Sequence, residues 1–279
     1  MSEFWCIVDV PNVAHRAFWV MGGLTHGGEG TGAIYGTFRT IAALRDSYVP
    51  DRFVFCFDRA PYIRRSMCPE YKASRAKRLD AGSRRAFDDL RGQIDRLYGW
   101  WLRAVGYRNV FRRKGFEADD LVAQACLQLP DDAKAIVISS DSDLLQLLSD
   151  RVTVWNSAKK RQLTEANFVR EWNLRPASWA EVKAIAGCSS DEILGVRGVG
   201  ERTAAKYLAG TLGSGTKAYE RIRASRDLIA RNLALTRLPL EGTEPLDLVS
   251  DRVTSARWDS VMDRLGIMSL RRRERRERA

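Results

Sequence analysis

At 279 residues the chain has room for one large domain, or for a large domain with a small one attached. A hydrophobic share of 45% and a charged share of 29% are ordinary for a soluble globular protein. The apolar run Phe4–Val8 is too short for a secretory segment, and no stretch nears the roughly 20 apolar residues that span a bilayer. The net charge of +11, with a pI near 9.7, points toward a polyanionic partner. Cys6, Cys56, Cys68, Cys126 and Cys188 are odd in number and lack CxxC spacing, which argues against a disulfide framework or zinc finger. The chain reads as a cytoplasmic protein with no membrane partner.

Four short runs rich in Val, Ile and Phe have the character of buried parallel strands: Phe4–Val10, Arg52–Phe57, Ala135–Ser139 and Val152–Trp155. Helical spacing covers Ala33–Ser47, Ser83–Val105 and Glu117–Leu129, so strands alternate with helices as in an α/β sheet covered on both faces. Residues 59–82, rich in Arg and Lys with Pro61 and Pro69, interrupt the scheme as a long excursion. After about Asn173 the strand-like runs stop. Ser178–Gly187 and Glu201–Leu208 read as two helices flanking a glycine-rich turn, and Arg271–Ala279 as a tail alternating Arg with Glu.

The acids follow the strands. Asp9 and Asp58 stand at or near the carboxyl ends of two of them; Asp141 and Asp143 follow a third. In an open parallel sheet those ends meet at one crevice. Glu117, Asp119 and Asp120 open a helix, and residues three apart, Glu117 and Asp120, share a face. Singly, each acid reads as a helix cap. Together they would repel strongly without cations. Oxygen donors without clustered His or Cys suit Mg²⁺ or Mn²⁺ rather than zinc, and paired ions of that kind serve phosphoryl displacement. A haloacid-dehalogenase-type site needs a second Asp two residues after the first, where this chain has Pro11.

Five segments in order resemble the 5′-nuclease or flap endonuclease family, which includes the 5′-exonuclease domain of bacterial DNA polymerase I and standalone phage exonucleases. They are IVDVPNVAHRAF, FVFCFDRAPYIRRSMCPEYKASR, GFEADDL, SSDSDLLQLL and GCSSDEILGVRGVGERTAAKYL. The resemblance implies a PIN-like, mostly parallel sheet in a catalytic domain over residues 1–173. A helical arch would occupy about 59–96, and a helical DNA-binding subdomain with a helix–three-turn–helix 174–270, followed by a basic tail, 271–279. It implies a first metal cluster of Asp9, Asp58, Glu117, Asp119 and Asp120, and a second served by Asp141, Asp143 and Asp191. Lys72 and Arg75 would face the scissile phosphate, with Asp120 also catalytic. Tyr71 would stack on a terminal base, and Arg64 would add charge toward DNA. Gly198, Gly200, Arg202, Thr203 and Lys206 would grip duplex backbone. The implied reaction is two-metal hydrolysis of DNA phosphodiesters, leaving 5′-phosphates, by 5′→3′ exonuclease and flap endonuclease action in replication and repair. Mg²⁺ is the expected cofactor, Mn²⁺ a substitute, and the turn permits a K⁺. The expected partners are branched, flapped or 5′-ended DNA and RNA-primer hybrids, with the protein a monomer.

Two positions depart from the family: Val10, where a small residue often follows the first Asp, and Cys188. Cys188 stands where an Asp is usual, just before Ser189-Ser190-Asp191. Thiolate is a poor ligand for Mg²⁺. One alternative is therefore a DNA-junction-binding protein with a crippled second site; another, from the similar acid-lined sheet, is a PIN-type ribonuclease. The arch-like insertion and the glycine-rich turn speak against the ribonuclease.

Overall fold

The computed structural model describes residues 2–73 and 80–271. Its centre is a six-stranded sheet: β1 Phe4–Asp9, β2 Arg52–Phe57, β3 Val110–Arg112, β4 Lys134–Ile138, β5 Val152–Asn156 and β6 Arg161–Leu163. Their spatial order is β3-β2-β1-β4-β5-β6, and only β6 runs antiparallel to its neighbour. The four expected strands are present within a residue at each end. The two edge strands β3 and β6 are too short to show an apolar run.

Side chains along a strand alternate between faces, and that alternation builds two cores. Cys6, Val8, Phe53, Phe55, Ile136 and Ile138 point to one face, where they meet Val13 and Phe18 of α1 (Val10–Met21) and Phe38 of α2 (Gly32–Tyr48). Trp5, Ile7, Val54, Cys56, Ala135 and Val137 point to the other face. Leu121 of the helix Ala118–Leu127 and Trp179 of the helix Trp179–Ala186 cover them there. The reading of the sequence gave α1 no helix. Asp9 makes it start abruptly: its carboxylate caps the helix by accepting from Asn12 N at 3.2 Å, and Pro11 fits the first turn.

After β2 the chain makes the expected excursion, with α3 at Arg64–Met67 and α4 at Ala81–Arg96. Helix α4 runs through a π turn, Leu97–Trp101, into Leu102–Val105 and stops at Gly106. That glycine has φ +110, and a Cβ there would lie 2.3 Å from Arg252 O, so both backbone and space require it. Beyond it, α5 (Ala118–Leu127), α6 (Glu165–Trp172), α7 (Trp179–Ala186), α8 (Glu201–Leu208), α9 (Lys217–Ala224), α10 (Arg226–Thr236) and α11 (Ser255–Arg264) follow. The α7–turn–α8 pair is the expected helix–turn–helix. Buried Asn232 on α10 fastens it by donating to Ala184 O at 2.9 Å and Leu194 O at 2.8 Å.

The boundary drawn near residue 173 does not divide the packing. Trp258, Val261 and Met262 of α11 return to the first face of the sheet, whereas α7, α8 and Leu246 complete the second. The fold is a mixed α/β structure with a mostly parallel sheet flanked by helices.

Candidate metal and nuclease site

The sheet order reverses between β1 and β4, and there the carboxyl ends open a crevice of about 1150 Å³. Asp9, Asp58, Lys72, Glu117, Asp119 and Asp141 line it together. Each is positioned by local structure. Asp9 ends β1 and accepts from Ser139 Oγ, just past β4, at 2.7 Å. Asp58 follows β2 and accepts from Ala118 N, at the start of α5, at 2.7 Å. Asp141 Oδ1 accepts from Asp143 N at 2.8 Å, which curls the loop after β4. Asn12 of α1 accepts from Ser140 N and Oγ at 3.0 and 2.8 Å, so both strand ends are tied together.

Crowding of acids shows in their proton affinities. Burial, with Asp58 and Asp141 adding to it against the Ser139 hydrogen bond, pushes Asp9 up to about 7. Burial and then Asp141, Asp9 and Glu117 drive Asp119 well above the usual carboxylate range. Lys72 offsets only part of this among the described residues, and a hard divalent cation would supply the positive charge that lets the acids ionise together. The donor set fits such an ion.

A second group adjoins the first. Ligand atoms of Asp143, Cys188 and Asp191 lie within 4.8 Å of one another. Burial and Asp141 raise Asp143. Burial and then Asp143 and Asp191 raise the Cys188 thiol. Lys183 of α7, which sequence reasoning did not select, sits here too. Its Nζ is 3.0 Å from Asp143 Oδ1, 2.9 Å from Glu201 Oε1 at the start of α8, and 2.9 Å from Ser142 Oγ. Burial pulls this ammonium down, but Asp143 and Glu201 outweigh it and hold it above its ordinary value. Ser139 and Asn12 were also missed. Their one signal was a small polar residue two or three places from a strand-end acid.

Three expectations are corrected. Asp120 does not face the crevice: it is fully buried, and its oxygens accept two 2.7 Å bonds from Arg64 and one each from the backbone N of Leu240 (2.9 Å) and Glu117 (3.1 Å). Glu117 is the helix cap rather than a helical residue, so the capping box turns Asp120 back while Asp119 points outward. Arg64 does not reach toward DNA. It is 2% exposed and spends its guanidinium on Asp120, Glu117 and Leu235 O. Tyr71 is not a stacking platform, being 3% exposed with its hydroxyl donating to Glu117 Oε2 at 2.6 Å.

Lys72 does stand in the crevice. Its Nζ pairs with Glu117 Oε1 and lies 3.7 Å from Asp191 Oδ1. Arg75 lies outside the described residues, as does the tail beyond Arg271. At the glycine-rich turn, Gly198 has φ +74 and Gly200 caps α8 with open space where a Cβ would stand. Lys206 is exposed and Thr203 partly so. Exposed Arg202 lies 4.0 Å over the Trp172 ring and pairs with Glu171.

Comparison with known proteins agrees with this geometry. Residues 5–173 match the family described as 5′-3′ exonuclease, N-terminal resolvase-like domain. DNA polymerase I of Mycobacterium tuberculosis is 33% identical over 273 residues, covering 91% of this chain and 29% of that protein. A 5′-3′ exonuclease of Mycoplasmopsis pulmonis is 30% identical over 209 residues, covering 74% of this chain and 66% of that one. A bacteriophage T5 flap endonuclease, solved as a pseudo-enzyme-product complex with DNA and metal ions, shares the fold. Its TM-score is 0.71 at 22% identity, over 85% of this chain and 90% of that one. The chain thus spans under a third of the polymerase it matches, and across that span it belongs to the 5′-3′ exonuclease family.

Proposed function

We propose that the chain is a divalent-metal-dependent, structure-specific 5′-nuclease that hydrolyses DNA phosphodiesters as a 5′→3′ exonuclease and flap endonuclease. The observation that carries the reading is the row of carboxylates at one sheet edge, two of them with strongly raised proton affinity. Mg²⁺, with Mn²⁺ as substitute, suits oxygen donors, and two ions suit two adjoining groups. Asp9, Asp58, Asp119 and Asp141 would hold the first ion, with Glu117 beside it, and Asp143 and Asp191 the second. Bound there, such ions activate water and stabilise the charge that develops on phosphorus oxygens.

The chain's own residues do the rest. Lys72 is a cation at the crevice able to meet a phosphate once the acids beside it are neutralised. Asp120 and Arg64 orient Glu117 from behind. The open space at Gly200 and the start of α8, which has no side-chain cap, suit close approach of a duplex backbone, and Lys206 adds charge there. Branched, flapped or 5′-ended DNA is the proposed substrate, and the T5 complex with DNA supports that class.

The test is cleavage of a 5′-labelled flap against matching linear duplex, in Mg²⁺, Mn²⁺ or chelator, with wild type and Asp119→Asn. Metal-dependent cutting near the junction, lost in the variant, supports the reading. Tight flap binding without cutting in either metal would overturn it in favour of a DNA-junction-binding relative.

A further inference from the structure

Resting on the proposed two-ion site, we infer that Cys188 is itself a ligand, and that the second ion position of this chain prefers a thiophilic divalent cation such as Zn²⁺ over Mg²⁺. Two segments bring the donors together: the loop after β4 supplies Asp143, and the turn after α7 supplies Cys188 and Asp191. Cys188 is extended (φ −135, ψ 101) and paired with Ile193 in a short antiparallel ladder, which fixes where its side chain leaves the backbone. One carboxylate oxygen from each acid and the sulfur then fall within 4.8 Å of one another. Donors around a tetrahedral ion at about 2.0–2.3 Å stand roughly 3.5 Å apart, so the three atoms must draw closer together when an ion binds.

The surroundings allow coordination as well as packing. Cys6 and Cys56 lie in the two apolar cores, and Cys126 packs against the second. Cys188 is half-buried: it packs against the small cluster of Cys68, Tyr71, Ile193 and Leu235, and it also faces the carboxylates of Asp143 and Asp191, with Ser190 Oγ 3.0 Å from its sulfur. Asp143 Oδ1 is closed off from solvent and is paired with the Lys183 ammonium 3.0 Å away. That ammonium is shared with Glu201 and offsets part of the charge of two carboxylates and a thiolate.

The selectivity follows from ligand chemistry. Mg²⁺ demands oxygen donors in near-octahedral geometry, whereas Zn²⁺ accepts sulfur and oxygen together in fewer positions. Three protein donors leave one position open, the pattern of a reactive rather than a purely structural zinc site. Coordination through sulfur releases the thiol proton to solvent.

The experiment uses the whole chain without DNA. Iodoacetamide labelling of Cys188 is followed by peptide mass spectrometry in Mg²⁺, Zn²⁺ or Cd²⁺, alongside near-ultraviolet absorption on Co²⁺ titration. Zn²⁺ and Cd²⁺ should slow labelling about tenfold or more at concentrations where Mg²⁺ leaves it unchanged. Co²⁺ should give a thiolate charge-transfer band that Cys188→Ser removes and Asp143→Asn weakens. Unchanged labelling in saturating Zn²⁺ and Cd²⁺, or a band that survives Cys188→Ser, overturns the inference. Neither readout requires cleavage, so ligation by Cys188 and nuclease activity stand or fall separately. The labelling arm uses wild type alone and does not depend on any variant folding.

Discussion

Two sets of acids meet near one sheet edge and live under opposite regimes. Asp120 faces inward and Glu117 stands at the crevice wall, and for both of them Arg64, Lys72 and the Tyr71 hydroxyl supply donors and positive charge from the protein itself. Asp9 and Asp119 face the crevice. There Asp9 takes neutral donors from Asn12 and Ser139, and both acids are pushed toward protonation by burial and by other acids. The first set is finished by folding; the second is left for something from outside to complete. An acid's presence in a motif therefore says less than which cation claims it.

The sharpest way to break this comparison is to cut the internal pair. Asp120→Ala strands the Arg64 guanidinium in the core and should cost about 3–5 kcal/mol of stability by denaturant unfolding. Replacing both partners together (Arg64→Met with Asp120→Leu) should recover much of that loss. Equal losses in the single and double variants would show that the pair is not what holds the segment. Next in size, Asp119→Asn should lower flap cleavage by at least about 10²-fold, the scale of losing one electrostatic stabiliser. The same change should leave metal-free stability equal or higher, since it relieves repulsion. A clear drop in stability would place Asp119 with the structural acids.

Smaller again is the pH response. The folded chain holds the Asp9 proton up to about 7 against an ordinary value of 3.8, so between those values it binds more protons than the unfolded chain. Stability of the metal-free protein should then fall as pH rises through that window, by about 2–4 °C in Tm per kcal/mol lost. Saturating divalent ion, or Asp9→Asn, should flatten the fall. A slope unchanged by both would dissociate Asp9 from the ion. The smallest expected effect is at the surface. Arg202→Ala should change stability by under about 1 kcal/mol, because its partner Glu171 is well exposed. It should weaken duplex binding and reduce the salt slope by about 1 only if Arg202 leaves Trp172 to meet a phosphate.

Much of the frame is legible in the chain itself. The runs that became β1, β2, β4 and β5 carry enough consecutive apolar residues to be recognised. The acids that follow β1, β2 and β4 had to share a sheet edge whichever way the sheet was ordered. What was not legible is which of two adjacent acids points where. Spacing by three pairs Glu117 with Asp120, a correct rule applied one residue too early, because Glu117 caps the helix instead of belonging to it. The partner that captures Asp120 is 56 residues earlier in sequence, and no local pattern announces it. Tyr71 misled for a similar reason. The family resemblance implied an exposed platform there, but α10 supplies Leu235, which helps to bury the ring.

The return of α11 to the first face of the sheet has a consequence for how the chain comes off the ribosome. Phe38, on a helix made early, packs edge-on against Trp258, more than two hundred residues later. Asn109 and Arg52 likewise bond Val249 O, and Asn109 also receives Val249 N. Strands β1 to β4 can therefore pair while synthesis continues, but the covering of one side of that sheet, begun by α1 and α2, is not complete until residues 255–267 emerge. At about 5–20 residues per second, that leaves an apolar surface open for seconds. The half of the molecule translated first is the half whose covering is finished last.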